Sequence, residues 1–95
     1  MSRLPDAAVT AALAELPEWR RDGEALRRDL RFPSFAAAIR FIVRVADLAE
    51  AADHHPELSN VFVSVGVRLT THDAGGITDR DVALARAIDG VVAED

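Results

Sequence analysis

Every histidine of the chain, three in all, falls in one stretch. His54 and His55 are adjacent within Glu50-Ala51-Ala52-Asp53-His54-His55-Pro56. His72 follows a run that alternates valine with other residues, and Asp81 comes shortly after it. Imidazole has an unperturbed pKa of about 6.5, so two or three of them around a flat pocket can donate and accept protons at neutral pH. Asp53 or Glu50 could orient a ring or raise its pKa. Two other readings compete. Three histidines plus Asp81 form an acceptable zinc ligand set, although adjacent residues such as His54 and His55 usually point apart. Alternatively, His54 and His55 merely end a long helix, where imidazolium complements the dipole; that leaves His72 unexplained. Asp81 also has a bland role, as the carboxylate that closes a capping box with Thr78. Spacing alone leaves these alternatives open.

The elements around these residues can be read from pattern. Pro5 and Asp6 suit the first turn of a helix carrying Val9, Ala12, Leu13 and Leu16, which Pro17 stops. Trp19 to Arg21 reads as a short strand and Asp22-Gly23 as a hairpin turn. The returning strand places Leu26, Arg28, Leu30 and Phe32 on one side, with Arg28 breaking the apolar pattern and expected near an open edge. Ser34 is an N-cap candidate for a helix over Phe35 to Ala52. That helix carries two apolar stripes. Phe35, Ile39, Ile42, Val43, Ala46 and Ala49 would cover the sheet; Phe41, Val45, Leu48 and Ala52 would face a partner subunit, the alternative being that this second stripe is only wide core contact. Asn60 to Thr71 reads as two strands with a bend near Ser64 to Gly66, placing Val61, Val63, Val65, Val67 and Leu69 on one side. Asp73 to Gly76 is a loop. A last helix buries Leu84, Ile88, Val91 and Val92. The expected fold is α+β: a four-stranded antiparallel sheet with three helices on one face, in the order α-β-β-α-β-β-α, and residues 1–95 form a single domain.

Composition bounds the function. The chain is 49% hydrophobic and carries a net charge of -5, a globular balance that argues against a general nucleic-acid or anionic-membrane binder. The pairs Arg20-Arg21 and Arg27-Arg28 read as a solvated hairpin face. The absence of cysteine removes disulfides, thiolate catalysis and cysteine-ligated zinc. The first residues present no apolar signal core, and no apolar run approaches the ~18 residues that span a bilayer. A cytoplasmic location is the expectation.

At the histidines the chain resembles the pterin-4a-carbinolamine dehydratases. The family pattern is an acidic residue, three intervening positions and His-His-Pro. It continues with Asn-Val-aromatic, a strand ending in Thr-His, a glycine-containing loop and an Asp opening the last helix. Here these are Glu50, His54-His55-Pro56, Asn60-Val61-Phe62, Thr71-His72, Gly75-Gly76 and Asp81. The likeness runs back through Phe32-Pro33-Ser34-Phe35 to Trp19 and covers nearly the whole chain. It implies a hydro-lyase, 4a-hydroxytetrahydrobiopterin dehydratase, which removes water from the spent pterin of the aromatic amino-acid hydroxylases and leaves quinonoid dihydropterin. It implies catalytic roles for His54, His55, His72 and Asp81, and substrate contacts from Glu50, Asp53, Pro56, Thr71 and Asp73. No metal or other cofactor is implied. The expected partners are the pterin and further copies of the chain, as a homodimer or homotetramer. Two departures stand out: Leu58 where many members carry tryptophan, which would loosen the pocket wall, and Phe62 where tyrosine is common. The alternative is a non-catalytic oligomeric interaction or assembly protein of the same fold, a role that family relatives without the histidines perform.

Overall fold

A computed structural model describes residues 2–94. Pro5 is the N-cap of the first helix, α1 (Asp6–Ala14), one position earlier than expected. The chain leaves the helix before Leu16, since a residue preceding proline is pushed out of helical backbone, yet Leu16 remains buried in the core. Next come β1 (Arg20–Asp22) and β2 (Ala25–Arg31). Asp22 pairs with Ala25, so the turn is Gly23-Glu24, shifted by one from the expected Asp22-Gly23. Gly23 supplies the positive φ, +60°, that this hairpin needs at its first central position.

The Ser34 side chain accepts from the Ala37 N–H at 3.1 Å and starts α2 (Phe35–Ala52), as read from the sequence. Strands β3 (Glu57–Val61) and β4 (Ser64–Leu69) follow. Val61 pairs with Ser64, which puts the turn at Phe62-Val63, before the expected bend. The reversal also sends Val61 out to 77% exposure while Val65, Val67 and Leu69 are buried, so the five residues do not share a side. A short 3-10 turn (His72–Ala74) leads to α3 (Asp79–Glu94).

The sheet order is β1-β2-β4-β3, antiparallel throughout. Leu26, Leu30, Val65, Val67 and Leu69 form the inner face, packed with residues of all three helices: Val9, Phe41, Val45, Leu84 and Ile88 among them. The other face is an ionic lattice. Arg27 and Arg20 bind Asp29, and Arg68 binds Asp22 and Glu57. Arg27, then Arg20, hold the Asp29 carboxyl below the ordinary carboxylate range by hydrogen bonding. One buried and one solvated face is the usual economy of an antiparallel sheet. Among the described residues no helix is long and apolar enough to cross a membrane.

Arg28 directly follows the last residue of β2 that β1 pairs, so the strand is open on that side there. Its side chain turns to the helix side, where Asp89 of α3 takes its guanidinium at 2.5 Å and also accepts from the Trp19 indole at 2.8 Å. One expectation is corrected: of the two stripes of α2, Phe41 and Val45 of the second are core, while of the first only Ala49 is buried. Ala38, Phe41, Val45 and Ala49 are the buried residues of the helix, whereas Phe35, Ile39 and Val43 are 50%, 36% and 54% exposed. The Phe41 ring packs on Phe32 at a centroid distance of 5.0 Å.

Val45 is 0% exposed within the single chain. Val45→Glu should therefore unfold the domain, because burying an unpaired carboxylate costs several kcal/mol. Urea denaturation followed by circular dichroism checks this; a wild-type midpoint would show that Val45 is not core.

Candidate active site

The site begins where α2 ends. Asp53 takes a left-handed conformation, φ 49° and ψ 44°, which aspartate tolerates better than most residues. The Asp53 N–H donates to the Glu50 carbonyl at 3.2 Å and the His54 N–H to the Ala49 carbonyl at 3.1 Å. These paired bonds make a Schellman stop. Pro56 adds to it, since a residue before proline, here His55, is disfavoured in helical backbone. The stop sends two neighbouring imidazoles to different places. His54 turns inward and is 8% exposed; His55 stays at the surface.

Inside, His54 Nε2 lies 2.5 Å from Asp81 Oδ1. Asp81 is fully buried, and its other oxygen accepts from the Thr71 hydroxyl at 2.8 Å and the Thr78 N–H at 2.9 Å. The proton directions follow by elimination. Thr71 has one hydroxyl proton and gives it to Asp81, so at the 2.8 Å contact between the threonines Thr78 donates. Thr78 Oγ1 in turn accepts from the Arg80 N–H at 3.3 Å. With Asp81 ionised, every contact it makes is that of an acceptor and His54 Nε2 carries the proton. Among the described residues Nδ1 of His54 is then left without a hydrogen-bond partner. The capping box read from Thr78 and Asp81 is present on its acidic side, with the Asp81 carboxylate returning to the Thr78 N–H.

Outside, His55 Nε2 lies 2.7 Å from Glu50 Oε1, with both side chains exposed. Asp53, His54, His55, Thr71, His72 and Asp73 line one open cleft of about 260 Å³, joined by Thr70 and Arg80. His72 is exposed and opens the 3-10 turn that the Thr71–Gly76 bridge closes. The structure therefore gathers all three histidines with Asp53 and Asp73 of the predicted set. Glu50 stands behind His55 and Asp81 behind His54; neither lines the cleft, and half-buried Pro56 flanks it. The Thr71 hydroxyl serves Asp81. Leu58 lies outside the lining, on the edge strand. Arg80 and Thr70 were not anticipated: a single arginine beside a capping residue has no periodicity to mark it, and its partners are main-chain carbonyls. A larger hollow of about 510 Å³ on the open sheet face carries no imidazole. Among the described residues no group of three potential ligands is placed to hold a metal ion.

Comparison with known proteins converges on one family. The family model described as pterin 4 alpha carbinolamine dehydratase matches residues 2–91. A Thermomicrobium roseum protein provisionally named pterin-4-alpha-carbinolamine dehydratase is 50% identical over 93% of this chain and 95% of its own. One from Novosphingobium aromaticivorans, with the same provisional name, is 53% identical over 94% and 95%. Among solved structures, a transcriptional coactivator/pterin dehydratase from Brucella melitensis superposes with a TM-score of 0.91 at 35% identity, covering 95% of this chain and 98% of that one. A pterin dehydratase-like protein identified as a RuBisCO assembly factor in the alpha-carboxysome gives a TM-score of 0.65 at 25% identity, over 77% and 87%.

Asp81→Asn tests the acceptor assignment. An amide offers one acceptor oxygen where three donors converge and turns N–H groups on some of them. The variant should lose about 1–3 kcal/mol of stability, read by urea denaturation; an unchanged midpoint would mean the carboxylate is not saturated with donors.

Proposed function

The chain belongs to the pterin 4 alpha carbinolamine dehydratase family, and we propose that it catalyses the dehydration of 4a-hydroxytetrahydropterin. The observation that carries this reading is the cleft itself, where a carboxylate-held His54 and an exposed His72 share one wall system. The reaction needs a base for the N5 proton and an acid for the departing C4a hydroxyl. His54, with Nε2–H committed to Asp81, presents Nδ1 as the base. His72, as imidazolium, is the acid. N5 gives its proton to His54, its electrons form the C4a–N5 double bond, the C4a–O bond breaks, and the hydroxyl takes the His72 proton and leaves as water. The product is quinonoid dihydropterin.

The remaining residues take supporting parts. Glu50 orients His55, which positions the ring. The carboxylates of Asp53 and Asp73 can accept from the amino and ring N–H groups of a pterin. Asp81 and Thr71 act through His54. No step calls for a metal or a covalent enzyme intermediate. The reading carries with it a cytoplasmic place in tetrahydropterin recycling beside an aromatic amino-acid hydroxylase. It also includes self-association, through the exposed Phe35, Ile39 and Val43 of α2 rather than through Val45, because contiguous apolar surface on a small domain favours a covering partner.

A binding role is the second reading, favoured by the assembly-factor and coactivator descriptions of the two structural neighbours. Retention of His54, His55 and His72 in one cleft supports catalysis over binding alone.

Turnover separates the readings. Purified protein should accelerate dehydration of enzymatically generated 4a-carbinolamine. Single His54→Ala and His72→Ala variants should keep part of the rate, because each proton transfer contributes about 10²–10⁴-fold and two imidazoles can share them. The double variant should fall to the uncatalysed background, and wild-type rates in that variant would refute the mechanism.

A further inference from the structure

Consecutive residues at the head of α3 grip consecutive residues at the tail of α2. Asp81 holds the His54 imidazole at 2.5 Å. Arg80 turns its guanidinium back to the main-chain carbonyl of Asp53 and, at 3.4 Å, to that of Ala52. We propose that Arg80 is a positioning residue for the reaction: it touches no reacting atom and fixes where His54 Nδ1 stands in the cleft.

The turn that Arg80 holds needs a holder. Asp53 is a non-glycine residue at φ 49°, a region that side chains disfavour and that persists only when its surroundings enforce it. The last turn of α2 has no basic residue of its own, so the cation that meets its carbonyl end comes from another helix. Behind the turn lies an apolar groove of about 420 Å³ between α2 and α3, walled by Leu48, Ala51, Ala83, Leu84 and Ala87, and Arg80 and His54 both border this groove and the histidine cleft. Without the guanidinium, rotation about Asp53 would swing the backbone of His54 while Asp81 still held the far side of its ring.

Arg80 enters the site by a second route. Its N–H donates to Thr78 Oγ1 at 3.3 Å, the first bond of the series that runs through Thr71 to Asp81. Main chain and side chain of one residue thus set the carboxylate and the imidazole that face each other. Near-attack geometry is steep in distance, and a misplacement of about 1 Å can lower a rate by about 10²-fold.

The test uses Arg80→Met, which keeps the stem and removes the donors, and Arg80→Lys, which keeps a cation. The kinetic arm rests on the dehydratase reading; the spectroscopic arm, long-range proton–nitrogen NMR of His54, does not. Arg80→Met should lower kcat by about 10- to 100-fold, leave KM nearly unchanged, and move the His54 Nδ1 signal. Arg80→Lys should recover part of both. Wild-type kcat and His54 signals in Arg80→Met would overturn the proposal, leaving Arg80 a helix cap only. A fall in kcat with unmoved His54 signals would overturn it as well, by marking direct action on the substrate. If the wild type does not dehydrate carbinolamine, the dehydratase reading fails, and the His54 signals of the variants decide the clamp alone. Should Arg80→Met fail to fold, Arg80→Lys carries both arms, and wild-type signals and kcat in it count against the proposal.

Discussion

A carboxylate with no access to water sets the terms for this structure. Asp81 is 0% exposed, and an ion in such a place costs several kcal/mol unless donors surround it. Its donors arrive from three separate segments: His54 from the end of α2, Thr71 from the end of the β4 segment, and Thr78 from the approach to α3. Satisfying one buried group therefore ties together two helices and the sheet at a single point, and it does so at the rim of the histidine cleft. With Asp81 charged, the direction of every hydrogen bond in the network follows from the small number of protons available. Stability and proton chemistry share the same atoms here, and the tautomer of His54 is a by-product of keeping Asp81 charged.

The fold and the site were legible in the sequence to different depths. The α2 span from Phe35 to Ala52 could be read outright, because Ser34 caps it and the Asp53-His54-His55-Pro56 segment ends it; both signals act locally. The hairpins were legible as hairpins but not in register. Gly23 and Phe62 carry the positive φ of their turns. A two-residue turn pairs positions three apart, so Val61 shares a side with Ser64 and lies opposite Val65 and Val67, which simple alternation groups with it. The gathering of His54, His55 and His72 was readable from composition and resemblance. The roles of Thr71 and Arg80 were not, since hydroxyl and guanidinium partners are fixed by tertiary approach.

The two stripes of α2 teach the same point. Phe41 and Val45 and the row led by Phe35 and Ile39 are both apolar, and periodicity gives no preference between two apolar faces of one helix. The choice is made by the sheet, where Leu26, Leu30 and Val67 offer a surface that the Phe41 side fills. The partner of Arg28 is hidden for a related reason: Asp89 comes from the far end of the chain. The exposed Phe35, Ile39 and Val43 remain as the face that a small domain would cover by self-association.

The central claim is that Asp81 fixes the protonation pattern of His54, leaving Nδ1 free to take a proton in the cleft. Long-range proton–nitrogen NMR on the wild-type protein at neutral pH tests it directly. The account predicts a protonated Nε2 and an unprotonated Nδ1 for His54, in a single tautomer, while His55 and His72 give their own separate patterns. A His54 ring protonated at Nδ1 with Nε2 bare, or an even mixture of tautomers, would contradict it.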